Sequence, residues 1–164
     1  MFYVIMGVSG VGKSTIGKLL GDRTGWVFYD ADDFHPQVNI EKMNRGIALT
    51  DSDRLPWLKQ LQELIAHCLD QDQQGILACS ALKSDYRHIL SNDRPEVVFI
   101  YLQSNYQTIE SRIKQRQGHF MKQDLLLSQF ETLEVPESVI NIDANQTPEA
   151  IVTEILQQVG QLSK

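Results

Sequence analysis

Gly7-Val8-Ser9-Gly10-Val11-Gly12-Lys13-Ser14 decides the fold. The octet fits Gly, four residues, then Gly-Lys-Ser/Thr. An apolar run, Phe2-Tyr3-Val4-Ile5-Met6, leads into it, and a helix-like stretch, Ile16-Gly17-Lys18-Leu19-Leu20, leaves it. Strand, glycine loop and helix in that order make a phosphate-binding loop. The glycines let the backbone curl so that successive N–H groups point at phosphate oxygens. The helix N-terminus adds unpaired N–H groups and the positive end of its dipole. Gly7, Val8, Ser9, Gly10, Val11, Gly12, Lys13, Ser14 and Thr15 are therefore the expected nucleotide-binding residues. Lys13 is placed to reach the β- and γ-phosphates, and the Ser14 hydroxyl to ligate Mg²⁺.

Outward from the loop, strand-like and helical patterns alternate along the 164 residues. Trp26-Val27-Phe28-Tyr29 reads as a second strand, followed by a polar segment from Asp30 to Asp53. Leu58, Leu61, Leu64, Ile65, Cys68 and Leu69 recur at helical spacing. Ile76-Leu77-Ala78-Cys79 reads as a buried strand. Val97 to Leu102 is an unbroken β run, and Val139 to Ile142 a short last strand. Ile151, Ile155, Val159 and Leu162 line a closing helix that Thr147 and Pro148 start as N-cap and first residue. Strands of this apolar kind, joined by helices, indicate a parallel sheet covered on both faces. The fold class is α/β, a P-loop NTPase-type three-layer fold with about five parallel strands flanked by helices. The whole of 1–164 reads as a single domain.

Composition narrows the function. A hydrophobic fraction of 42% and a charged fraction of 22% are globular values. The net charge of −6 argues against a nucleic-acid surface. No apolar run nears the roughly 20 residues needed to cross a bilayer, and no basic segment precedes the first strand. Two isolated cysteines, Cys68 and Cys79, make neither a disulfide framework nor a zinc site. The expectation is a cytoplasmic protein with no nucleic-acid or membrane partner.

Phosphate loops also serve GTP switches and motors. A GTP switch needs an Asn-Lys pair for guanine, which the chain lacks. Here an acidic cluster, Asp30-Ala31-Asp32-Asp33, directly follows the second strand, where ligands bind in open α/β sheets. Taken as extended chain, residues 30 and 32 point to one side. One can then hold the metal's water shell while the other takes a proton from an attacking hydroxyl. Arg54, Lys83 and Arg87 are cations suited to an anionic acceptor. His35 either bonds a substrate hydroxyl or caps the turn at Pro36, and Trp57 reads as core packing. Arg112 and Arg116, four apart, share a helix face before Gly118 breaks it. Such a segment reads as a mobile lid over about 112–128, its arginines neutralising the transferring group.

Further blocks carry a family resemblance. Asp30-Ala31-Asp32-Asp33-Phe34-His35-Pro36 continues into Asn39-Ile40-Glu41-Lys42-Met43. Leu49-Thr50-Asp51-Ser52-Asp53-Arg54-Leu55-Pro56-Trp57-Leu58 follows, then Cys79-Ser80-Ala81-Leu82-Lys83 with Tyr86-Arg87. Last come Gly118-His119-Phe120-Met121 and Ser128-Gln129-Phe130-Glu131-Thr132-Leu133-Glu134. In this order the chain resembles the gluconate kinases, relatives of the shikimate and nucleoside monophosphate kinases. It departs from them at Asp33-Phe34, where the family often has two bulky apolar residues. The resemblance implies ATP and Mg²⁺ as cofactors, gluconate as acceptor and a homodimer. By the same reasoning Asp32 is the base and Asp30, with Ser14, assists the metal. Lys13, Arg112 and Arg116 stabilise the phosphoryl group, while Asp32, His35, Arg54, Lys83 and Arg87 meet the acceptor. Another small polar acceptor such as shikimate, or a non-catalytic nucleotide switch, is the alternative.

Overall fold

A computed structural model describes residues 1–115 and 123–162. Five strands, β1 (Phe2–Met6), β2 (Val27–Asp30), β3 (Gly75–Ala78), β4 (Val97–Gln103) and β5 (Ile140–Asp143), form one sheet in the order β2-β3-β1-β4-β5. Every neighbouring pair is parallel, with Phe2 in register with Gly75 on one side and Val97 on the other. The expected parallel sheet is thus present, with β1 at its centre and the phosphate loop at its C-terminal end.

Alternation along β1 builds two cores. Tyr3 and Ile5 face one side, where they pack with Ile16 and Leu20 of helix α1 (Lys13–Thr24). Ile151, Val152 and Ile155 of α7 (Pro148–Leu162) complete that core. Phe2, Val4 and Met6 face the other side, against Leu58, Leu61 and Ile65 of α3 (Asp51–Asp70) and Tyr86 and Leu90 of α4 (Ser84–Ser91). All five residues of β1 are buried, the pattern of a strand covered on both faces. α3 begins with a reciprocal cap. The Thr50 hydroxyl accepts from the Asp53 amide, and the Asp53 carboxylate accepts from the Thr50 amide. The Thr147 hydroxyl accepts from the Ala150 amide, so the last helix starts as its sequence implies.

Two details differ from the sequence expectations, and a third segment is described only in part. The segment after β2 is not extended: residues Ala31–Phe34 form a 3₁₀ turn, because the Asp30 carboxylate accepts from the Asp32 amide and draws the chain round. The polar segment contains α2 (Gln37–Asn44), whose single buried residue, Asn39, gives no apolar periodicity to read. The stretch expected as a lid is helical where described. α5 (Tyr106–Gln115) enters it and α6 (Gln123–Thr132) leaves it, joined by an edge-on contact of Tyr106 and Phe130 at 5.5 Å. Arg116 and Gly118 to Met121 lie outside the described residues.

Candidate active site

The phosphate loop is shaped by a backbone that only glycine accepts without strain. Gly7 has φ +147°, and a Cβ there would sit 2.9 Å from the Leu102 carbonyl oxygen. Gly12 has φ +107° and forms the N-terminal boundary of α1. Val8 and Val11 bury their side chains in the core and so pin the loop between glycines. Lys13 folds back over it, its Nζ donating to the Gly7 and Val8 carbonyls at 3.0 Å each. Surrounding protein lowers the Lys13 pKa by desolvation, an effect that Asp32, Cys79 and Asp30 oppose. The Ser9 amide is taken by Gln129 Oε1 of α6 at 2.7 Å.

Despite the 3₁₀ turn Asp30 reaches the loop and Asp32 lines the same cleft as Lys13. The Ser14 hydroxyl donates to Asp30 Oδ2 at 2.8 Å. A hydroxyl and a carboxylate at the phosphate loop are hard oxygen donors of the kind Mg²⁺ selects, so these residues fit that ion. Asp32 stands on the floor of an open cleft, its side chain 85% accessible to water yet ringed by protein. That enclosure, together with the Asp30 charge, raises its pKa, while Lys13 pulls the other way. Such a carboxylate is a better proton acceptor than an isolated surface aspartate. Cys79 lies alongside as an inert thiol, its pKa pushed up to about 12 by burial.

A cleft of about 510 Å³ joins the loop to a second wall. Lys13, Ser14, Asp30 and Asp32 line it together with His35, Arg54 and Trp57, and with Ser128 and Gln129 of α6; His35 Nε2 stands 4.0 Å from Asp32 Oδ1. Arg54 and Lys13 are the Lys or Arg side chains that line it among the described residues. Arg54 is held from behind, its Nη1 donating to the Leu49 carbonyl at 2.7 Å and the Tyr86 hydroxyl at 3.1 Å. Tyr86 in turn donates to Asp51 in a short hydrogen bond, and Lys83 Nζ donates to Asp51 at 2.9 Å. The Tyr86 and Lys83 bonds hold the Asp51 carboxyl below its usual range.

Three expected site residues are placed elsewhere. Lys83 pairs with Asp51 and supports Arg54 through Tyr86 instead of lining the cleft. Arg87 clamps the chain, donating to the carbonyls of Ala81, Leu82 and Glu134. Arg112 donates to the Ala144 carbonyl at 3.0 Å and ties α5 to the end of β5. In each case a long side chain finds backbone oxygens or a carboxylate nearer than the cleft. Trp57, read as core packing, is buried as expected and also lines the cleft. It donates to the Ala31 carbonyl at 2.7 Å and stacks on His35 with ring centroids 4.1 Å apart. Asn39, Tyr86 and Gln129 were missed as site residues, although each sits in a block quoted above.

A strand, a phosphate loop and a helix, opening on a cleft with its own carboxylate and cation, define a phosphate-loop kinase of small molecules. A model of the shikimate kinase family matches residues 9–160. The thermosensitive gluconokinase of Escherichia coli K12 is 44% identical over 147 residues, covering 87% of this chain and 79% of that protein. A gluconokinase structure from Sinorhizobium meliloti is 38% identical with a TM-score of 0.88, covering 98% of this chain and 91% of that one. An unliganded sugar kinase structure from Janibacter sp. is 42% identical with a TM-score of 0.92, covering 97% and 94%. The chain belongs to the gluconokinase family, within the wider shikimate kinase group.

Proposed function

We propose that this chain is a gluconokinase, transferring the γ-phosphoryl group of ATP to the primary hydroxyl of D-gluconate to give 6-phospho-D-gluconate and ADP. The observation that carries the reading is that Lys13, Asp32 and Arg54 line one cleft together. Gluconate is a linear polyol with a carboxylate at one terminus and a primary hydroxyl at the other. Arg54 grips the carboxylate, which places the far hydroxyl at Asp32. Asp32 takes the hydroxyl proton as the new O–P bond forms and the bond to the β,γ-bridging oxygen breaks. Lys13 leaves the loop carbonyls for the phosphates and neutralises charge on the departing oxygen. Ser14 and Asp30 would hold Mg²⁺, which supplies charge neutralisation between the phosphates when bound. Loop amides from Gly7 to Thr15 orient the nucleotide. Ser128 and Gln129 of α6 line the cleft and help to keep water from it.

Identity near 40% to gluconokinases over most of the chain supports gluconate over shikimate. No helix among the described residues is long and apolar enough to cross a membrane. Cys68 and Cys79 are buried free thiols, as a reducing cytoplasm would keep them. A cytoplasmic homodimer completes the proposal, its assembly state measurable by sedimentation. The deciding experiment is coupled ADP release with gluconate, glucose, shikimate and adenylylsulfate. Gluconate should be turned over and glucose rejected, because the Arg54 cation would be left unmatched. Activity on shikimate with none on gluconate would refute the acceptor and leave the kinase class standing.

A further inference from the structure

Asn39 is the single buried polar residue in the described core, 1% exposed. Its Nδ2 makes two contacts, to the Asp53 carbonyl at 2.9 Å and to His35 Nδ1 at 3.3 Å. Turning the amide over would set its oxygen against the Asp53 carbonyl oxygen, so the nitrogen must face these two acceptors. An Asn nitrogen carries two hydrogens, and both are thereby directed. A hydrogen received at Nδ1 requires that nitrogen to be bare, which leaves the imidazole proton on Nε2. The ring cannot swing to evade this choice. It is stacked on Trp57 at 13° and its side chain is 5% accessible. Burial and the Arg54 charge keep it neutral, its pKa lowered to about 4. Nε2 lies 4.0 Å from Asp32 Oδ1, and both residues line the cleft.

We infer that Asn39 is a positioning residue that fixes His35 as a donor through Nε2–H, aimed at the gap between His35 and Asp32 where the reacting hydroxyl of the acceptor sits. The functional half of this inference rests on the kinase reading above. With Asp32 accepting from the hydroxyl and His35 donating to a lone pair of the same oxygen, the attacking oxygen is held from two sides. The opposite tautomer would present a bare nitrogen to Asp32 and to the substrate oxygen, replacing an attraction with a repulsion.

The test begins without substrate, so it stands even if the acceptor is not gluconate. Two-bond ¹H–¹⁵N correlation spectra of the labelled protein at neutral pH report which imidazole nitrogen bears the proton, with His35 assigned by its absence in His35→Gln. The proton should be on Nε2 alone in the native chain, and a proton should appear on Nδ1 in Asn39→Asp, whose carboxylate can accept where the amide donated. For whichever acceptor the panel identifies, Asn39→Asp should lower kcat about tenfold or more and leave KM for ATP within about twofold. Should Asn39→Asp fail to fold, the His35 pair decides. A glutamine amide mimics Nε2 and an asparagine amide mimics Nδ1, so His35→Gln should retain about tenfold more kcat than His35→Asn. A native proton on Nδ1, a tautomer indifferent to Asn39→Asp, or equal kcat in the two His35 variants would overturn the inference.

Discussion

Replacing Arg54 by Met tests the acceptor end of the cleft most directly. Among the described residues Nη1 of Arg54 makes its hydrogen bonds, to the Leu49 carbonyl and the Tyr86 hydroxyl, while the guanidinium lies over the Tyr86 ring at 5.5 Å. Nε and Nη2 are then available for a two-pronged grip on a carboxylate. A charge-assisted hydrogen bond is worth ~1.5–3 kcal/mol. The two prongs are not additive, so a total near 3 kcal/mol is the sober figure, roughly 10²-fold in kcat/KM for gluconate. The fold should survive, because Met keeps the apolar stem and Tyr86 still donates to Asp51. Losing the donor to Leu49 costs about 1 kcal/mol of stability. Coupled ADP release at varied gluconate and varied ATP separates the effects: KM for gluconate should carry the change, and KM for ATP should stay within about threefold. Discrimination against glucose should collapse in the same variant. A KM for ATP that rises in parallel with that for gluconate, or undiminished discrimination, would refute the assignment of Arg54 to the carboxylate.

Lys13→Ala removes the charge beside the transferring group, and kcat should fall on the order of 10³-fold with unchanged circular dichroism. Retention of a tenth of native activity by a folded variant would contradict the role given to Lys13. Asp53, held down to about 2 by the Lys42 and Thr50 hydrogen bonds, is charged in the fold well below its ordinary 3.8. Its contribution is therefore complete above about pH 4 and lost as pH falls through about 2. Asp53→Asn should unfold at a lower temperature than the native chain at neutral pH, the two melting curves converging through that acid window. Gly17→Ala places a Cβ 2.3 Å from the Phe28 ring, between α1 and β2. The overpacking costs about 1–3 kcal/mol and outweighs a helix gain of up to ~1 kcal/mol, so Tm should drop by a few degrees. A Tm that rises would show the ring free to move.

The sheet, the phosphate loop and the paired carboxylates were legible because each is written in local terms. Alternating cores need apolar runs, and the loop needs glycine at Gly7 and Gly12 whatever surrounds it. The geometry after β2 was misread because a four-residue turn set by the Asp30 side chain leaves no periodic trace. The destinations of the arginines were illegible for a different reason. Arg87 ends on a carbonyl 47 residues away, and Arg112 on one 32 residues away. Their partners are backbone oxygens, which every residue type supplies. Arg54 was picked out together with Lys83 and Arg87 as a cation of the quoted blocks, and it is the one of the three that lines the cleft, since the Thr50–Asp53 cap fixes the first turn of α3. Asn39 looked like one more polar residue, since burial of a lone amide shows only once α2 and α3 are packed.

The two cores divided by β1 also divide the labour of change. Nucleotide-side packing involves Ile16 and Leu20, and acceptor-side packing involves Leu58, Leu61 and Tyr86, with a sheet between them. Leu20 and Leu61 fall in separate clusters with the sheet between them, and residues that share no partners contribute nearly independently. Truncating Leu20 and Leu61 together should therefore destabilise by nearly the sum of the single losses. A wall refitted around a different acid or alcohol sends little strain into the phosphate loop. The sheet acts as a bulkhead, and each side can be rebuilt while the other stays in service.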